Sequence, residues 1–109
     1  MGKSGDFLPG TLEMLILKTL SLGSQHGYGI AQRIRQTSES VLAVEEGSLY
    51  PALQRLLING FVRAEWKQSE TNRRARYYRL TVAGQKQLDA ELNQYRRVNV
   101  AIEKVLQTT

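Results

Sequence analysis

Tyr50, Gln54 and Arg55 carry the groups that read the edges of DNA bases. A guanidinium offers two donors to guanine, a carboxamide pairs twice with adenine, and a phenol reaches a phosphate or covers a thymine methyl. With Ser48 and Pro51 they fall near the N-terminal end of one predicted helix, the end that reading helices point at base edges. A solvated helix face would carry the same residues, so the surface needs support from elsewhere in the chain. That support lies in residues 63–79, where Arg63, Lys67, Arg73, Arg74, Arg76 and Arg79 stand against only Glu65 and Glu70. Such a surplus suits phosphates. A basic edge that discourages strand-to-strand aggregation is the competing explanation, and adjacency to the candidate reading helix favours phosphate contact.

Catalytic chemistry finds little to work with. His26 is the sole imidazole; it stands in a turn between Gln25 and Gly27, with no carboxylate in its segment to orient it as a base. Glu45 and Glu46 are neighbours rather than an opposed pair, and they suit the positive start of a helix. Gly27 with Gly29 is too short a pattern to cradle a phosphate. The chain has no Cys, which removes thiolate nucleophiles, disulfides and the commonest zinc ligands, and fits a reducing cytoplasm. Neither enzyme activity, nor a cofactor, nor a metal is expected. Fifteen Lys and Arg against ten Asp and Glu give a net charge of +5, which favours an acidic partner such as nucleic acid. Leu12–Leu22 is the most apolar stretch, but it contains Glu13 and Lys18 and is far shorter than the roughly twenty residues a bilayer demands. It reads as a core helix, so no membrane association is expected.

These residues must be positioned by one compact domain, since 109 residues with 41% apolar content leave no length for a second core. Residues 1–10 read as a flexible arm without the pattern of a signal peptide. Thr11 can cap a helix whose Leu12, Leu15, Ile16, Thr19 and Leu20 share one side, ended by Gly23. A second helix is expected over Tyr28–Gln36, and a short extended piece over Val41–Val44. Ser48 is the expected N-cap of a third helix reaching Ile58, with Pro51 in its first turn and Asn59 and Gly60 closing it. Phe61–Lys67 alternates as a strand and Arg76–Leu80 answers it. The turn between them, Gln68–Ala75, puts Arg73 and Arg74 at its tip. Tyr77 and Tyr78 must face opposite ways, one into the core. Trp66 is expected to pack on the third or the last helix rather than bind a ligand.

Thr81 opens a last helix that runs to about Gln107, too long for so small a core. Along it Leu88, Leu92, Tyr95, Asn99, Ile102 and Leu106 recur at alternating steps of four and three, the pattern of a two-helix seam. Asn99, a lone polar residue there, either fixes register or is exposed in a frayed end. The fold expected is therefore mainly α with a small β-hairpin: a winged helix-turn-helix over 11–81 and a C-terminal dimerisation helix over 82–109.

The segments HGYGIAQRI at His26–Ile34, EEGSLYPALQRLLINGFV at Glu45–Val62 and RARYYRLTVAG at Arg74–Gly84, with the leucine-rich Leu12–Leu20, resemble the PadR family of transcriptional regulators. The likeness spans about Leu8 to Leu88. It implies a winged-helix homodimer that represses genes by occupying a pseudo-palindromic operator in double-stranded DNA. It places Ser48, Tyr50, Pro51, Gln54 and Arg55 at the groove, with Arg73, Arg74 and Arg76 on the wing, and gives most of the dimer contact to the final helix. The short C-terminal part resembles the subgroup with one terminal helix, which argues against a large effector pocket between subunits. Should a small-molecule effector exist, no residue identifies it. The competing function is a protein-interaction module on the same fold, binding through the terminal helix without touching DNA.

Overall fold

The computed structural model describes residues 10–109. They form α1 (Thr11–Leu20), β1 (Gln25–His26), α2 (Gly27–Thr37), α3 (Glu46–Ile58), β2 (Val62–Gln68), β3 (Arg74–Leu80) and α4 (Val82–Leu106). The expected arm over 1–10 lies outside the described residues except for Gly10. The class is as expected: a mainly α winged helix carrying a long C-terminal helix.

α1 packs against α2, α3, β3 and α4, and its Ile16 and Leu17 are fully buried. Ile30 and Ile34 of α2 meet Leu49, Ala52, Leu53 and Leu56 of α3 in the same core. The repeats of three and four along each helix produce these contacts, because residues so spaced stack on one face. α2 starts one residue before the expected Tyr28, because His26 caps it: the Nδ1 of His26 accepts a hydrogen bond from the Gly29 amide at 3.0 Å. The lone imidazole is thus a structural cap.

α3 begins two residues before the expected Ser48. The amides of Ser48 and Leu49 both donate to the Glu45 carbonyl, at 3.0 and 2.9 Å, so Glu45 is the N-cap and Ser48 lies inside the first turn. Acidic Glu45 and Glu46 favour the positive end of the helix dipole, which lets the helix start without a hydroxyl cap. Pro51 consequently sits in the second turn, where its missing N–H faces the Gly47 carbonyl. The other end is as expected. Gly60 takes a φ of 76°, and the amides of Gly60 and Phe61 return to the carbonyls of Leu57 and Leu56, satisfying acceptors that the helix end would orphan.

Val41–Val44 is no strand; the chain leaves α2 through Glu39 and Ser40, both at positive φ, and Leu42 and Val44 rest against the core. The sheet has three strands in the order β1-β3-β2, all antiparallel neighbours, rather than the two of an isolated hairpin. β1 pairs Gln25 with Tyr78 and His26 with Tyr77. A strand of two residues has no alternation to read.

Thr81 joins the wing to α4. Its hydroxyl donates to the Gly60 carbonyl at 2.7 Å and accepts from the Gly84 amide at 3.0 Å. Gly84 allows the close approach, since a Cβ there would stand 2.0 Å from the Phe61 carbonyl oxygen. Gly84 and Leu88 are buried, so the first turns of α4 belong to the winged-helix core; Tyr95 and Val98 still border the start of α1 across a groove with Thr11 and Met14, and the helix projects beyond them.

Candidate nucleic-acid interface

The register of the hairpin decides which side chains share a face. β2 and β3 pair Val62 with Leu80, Ala64 with Tyr78, Trp66 with Arg76 and Gln68 with Arg74. These pairs point one way, and the intervening pairs Arg63 with Arg79, Glu65 with Tyr77 and Lys67 with Ala75 point the other. The first face starts in the core at Val62 and Tyr78 and continues past it to Trp66, Arg76 and Arg74. The basic side chains are therefore divided: Arg74 and Arg76 share the core-side face, while Arg63, Lys67 and Arg79 lie on the outer one.

Both strands reach further toward the tip than the alternation suggested. The turn is Ser69–Arg73, closed by the Ser69 amide donating to the Arg73 carbonyl at 2.7 Å, with Asn72 at a φ of 62°. Arg73 is in the turn as expected, but Arg74 is the first residue of β3 and its guanidinium lies 5.4 Å over the Trp66 ring. Charged residues hide a strand end from an apolar pattern, which is why the sequence did not place it.

Of the two adjacent tyrosines, Tyr78 enters the core and burial raises its phenol above the ordinary tyrosine range, against the opposing pull of the Arg76 charge. Tyr77 packs edge-on to His26 at 5.3 Å, with the Lys67 ammonium 4.6 Å over its ring. Trp66 does not pack away as expected and remains 58% exposed. It borders an open groove of about 420 Å³ between the wing and α3, shared with Tyr50, Tyr28 and Arg76. Gly27 makes room for Tyr50, whose hydroxyl would be 3.0 Å from a Cβ at that position.

On α3, Ser48, Tyr50, Pro51, Gln54 and Arg55 are all exposed, as expected. They do not all look the same way. Five residues along an α-helix turn the side chain by about 140°, so Tyr50 and Arg55 flank the exposed face with Pro51 and Gln54 between them. Tyr50 borders the wing. Arg55 turns toward α1, where its Nε donates to Glu13 Oε2 at 2.7 Å, the one ion pair among the described residues. The exposed face of α3 thus has a cation paired toward α1 at one margin and an aromatic groove at the other. Tyr28, 68% exposed and bordering that groove, was missed; its only signal was an aromatic between two glycines.

The α4 seam also differs in detail. Leu88 is 2% exposed and belongs to the chain's own core, and Leu92 is half-buried beside it. Tyr95, Ile102 and Leu106 stand exposed along the rest of the helix, joined by Val98 and Val105, with Tyr95 and Val98 bordering α1 and Asn99 at the edge of the stripe. The steps Tyr95, Val98, Ile102, Val105 keep the three-four alternation. An alternative phase starting from Leu88 concealed them. Among the described residues no group of three or more acidic, His or Cys side chains could hold a metal, and no helix is long and apolar enough to cross a membrane.

Residues 16–90 match the model of the "Transcriptional regulator PadR-like family". A transcriptional regulator from Clostridium thermocellum is 30% identical and superposes with a TM-score of 0.80, over 87% of this chain and 92% of that one. A PadR family regulator from Eggerthella lenta is 28% identical at a TM-score of 0.79, covering 92% of this chain and 85% of its own. A PadR-like regulator from Bacillus cereus is 27% identical at 0.78, over 92% and 95% of the two chains. An uncharacterized protein of Lysinibacillus sphaericus is 26% identical over 98 residues, 90% of each chain. With the family's pattern running from the core of α1 into α4 on a matching backbone, this chain belongs to the PadR-like family of transcriptional regulators.

Proposed function

We propose that this regulator acts as a homodimeric repressor: α3 of each subunit enters the major groove, the wing follows the adjacent backbone, and transcription is blocked by occupancy of a pseudo-palindromic operator. One observation carries the reading. The exposed N-terminal half of α3 and the Arg76-bearing face of the wing border the same groove, through Tyr50 and Arg76, so one duplex can touch both. Gln54 and Arg55 would read bases, while Arg73, Arg74 and Arg76 would contact phosphates. The exposed stripe Tyr95, Val98, Ile102 and Val105 supports pairing of two α4 helices, and a two-fold dimer would see two half-sites about one helical turn apart.

The test is the salt dependence of duplex binding. Arg74→Ala should weaken binding to every sequence and reduce the slope of log K against log salt by about 0.9, the value of one phosphate contact. Gln54→Ala should leave the slope unchanged and relax the choice of sequence selected from a random pool. Identical slopes for wild type and Arg74→Ala would remove the wing from the interface.

A further inference from the structure

We infer that the groove between α3 and the wing is a binding site for a single unstacked nucleotide, the base lying among Tyr28, Tyr50 and Trp66 and the phosphate meeting Arg76. The inference rests on the proposed function only for which side of the molecule faces nucleic acid. Its own basis is the chemistry of the groove. Tyr28 is 68% exposed, Trp66 58% and Tyr50 46%, and all three border one cavity of about 420 Å³, within the size range of small-ligand sites. Arg74 lies over the Trp66 ring at 5.4 Å and His26 stacks with Tyr28 at 6.4 Å, yet all three aromatic side chains keep large exposed areas around one space, where a planar ring can stack.

A paired duplex can touch the rim of this groove through its phosphates and base edges, but it offers no base face to stack on the rings. Its bases stack on one another and present only their edges, so their faces become available when a nucleotide leaves the stack. Every base has such a face, and stacking on an aromatic side chain is the means by which single strands are held without regard to sequence. The remaining half of a nucleotide, its negative charge, is answered by the Arg76 guanidinium in the lining and by Arg74 over the Trp66 ring. Tyr50 is fixed at the mouth because Gly27 has no side chain to displace it. A neutral apolar ligand would make no use of the Arg76 charge, which lies 5.8 Å over the Tyr78 ring; a paired duplex would offer the rings no base face.

Trp66 is the only tryptophan, so its fluorescence reports the site directly. The full-length protein is titrated at low salt with oligo(dT), with dTMP, and with a blunt-ended duplex. Saturable quenching by oligo(dT) is expected, with Tyr50→Ala weakening it by about five-fold or more, the loss of one base stack, and Tyr50→Phe preserving it. Quenching by dTMP at comparable concentration would identify a free nucleotide as the ligand, and quenching by oligo(dT) alone a nucleotide within a strand; either supports the site. Absence of quenching by both overturns it, as does quenching that neither Tyr50→Ala nor Tyr28→Ala alters. Should Tyr50→Ala lose its helical circular dichroism, Tyr28→Ala, a truncation at the surface, decides. A protein that shifts duplex in a gel but ignores oligo(dT) and dTMP sinks this inference alone. One that responds to oligo(dT) but never to duplex sinks the operator reading alone.

Discussion

The Nε of Arg55 donates to Glu13 Oε2 at 2.7 Å, which draws the guanidinium toward α1 and leaves its two Nη groups uncommitted, so Glu13 can either brace Arg55 against a guanine or hold it away from one. On the proposed function we predict the second outcome, in which Glu13 competes with the base for Arg55. The Arg55 side chain is 56% exposed and that of Glu13 23%, so solvent screens the pair, and exposed pairs of this kind contribute about 0.2–1 kcal/mol. A bidentate arginine–guanine contact discriminates by about 1–3 kcal/mol, enough to exceed the pair it replaces. Glu13→Gln should then tighten binding to a site selected from a random pool by up to about five-fold and lower the melting temperature by at most a few degrees. Arg55→Ala should weaken the same site by about five-fold or more, with little effect on unrelated duplex. The assay is fluorescence anisotropy on both DNAs for the two single variants and the double variant. A loss of affinity in Glu13→Gln equal to that in Arg55→Ala would show that Glu13 holds Arg55 in its reading pose and would refute the competition.

Gly84→Ala should destabilise the fold by roughly 1–3 kcal/mol or more, read by thermal melting, because the new Cβ meets the backbone oxygen of Phe61 at 2.0 Å and neither element can yield cheaply. Replacing Tyr95 and Ile102 together by Asp should give a monomer in sedimentation equilibrium with unchanged far-ultraviolet circular dichroism; a dimer that survives both changes removes the α4 seam. Tyr78 makes an alkaline prediction. Its folded-state pKa is raised by burial, so its stabilising effect is complete below the unfolded value near 10 and is lost as pH rises through the folded value. Melting curves between neutral pH and pH 11 (roughly one unit above the unfolded value) should therefore fall at the alkaline end, and less steeply in Tyr78→Phe.

The helical part of this fold was legible because its signals are long. Three- and four-residue spacing over ten or more positions marks α1, α3 and α4 independently of what they touch, and Gly60 and Thr81 mark their ends by local geometry. The misplacements share a different character. The start of α3 depends on charge at a helix end, which Glu45 and Glu46 supply without a hydroxyl cap. β1 is too short to have a period and exists only because β3 is beside it. The site follows the same rule: exposure of Gln54 and Arg55 follows from one helix's own pattern, whereas the pairing of Arg55 with Glu13, 42 positions earlier, and the meeting of Tyr50 with Trp66 depend on how separate elements dock. Leu88 illustrates the ambiguity of a seam, since the same apolar stripe serves the chain's own core for its first turns and is left open beyond them.

The two-residue strand β1 matters beyond its length. It immediately precedes α2 and is hydrogen-bonded to β3, so the hairpin is tethered at its inner strand as well as through Thr81 at its base. A lever held at two points cannot pivot freely, so the angle between the wing and the helix pair is set within the subunit itself. On the proposed function, exchanges at Gln54 or Arg55 would then alter sequence preference while the pose on the double helix stayed the same.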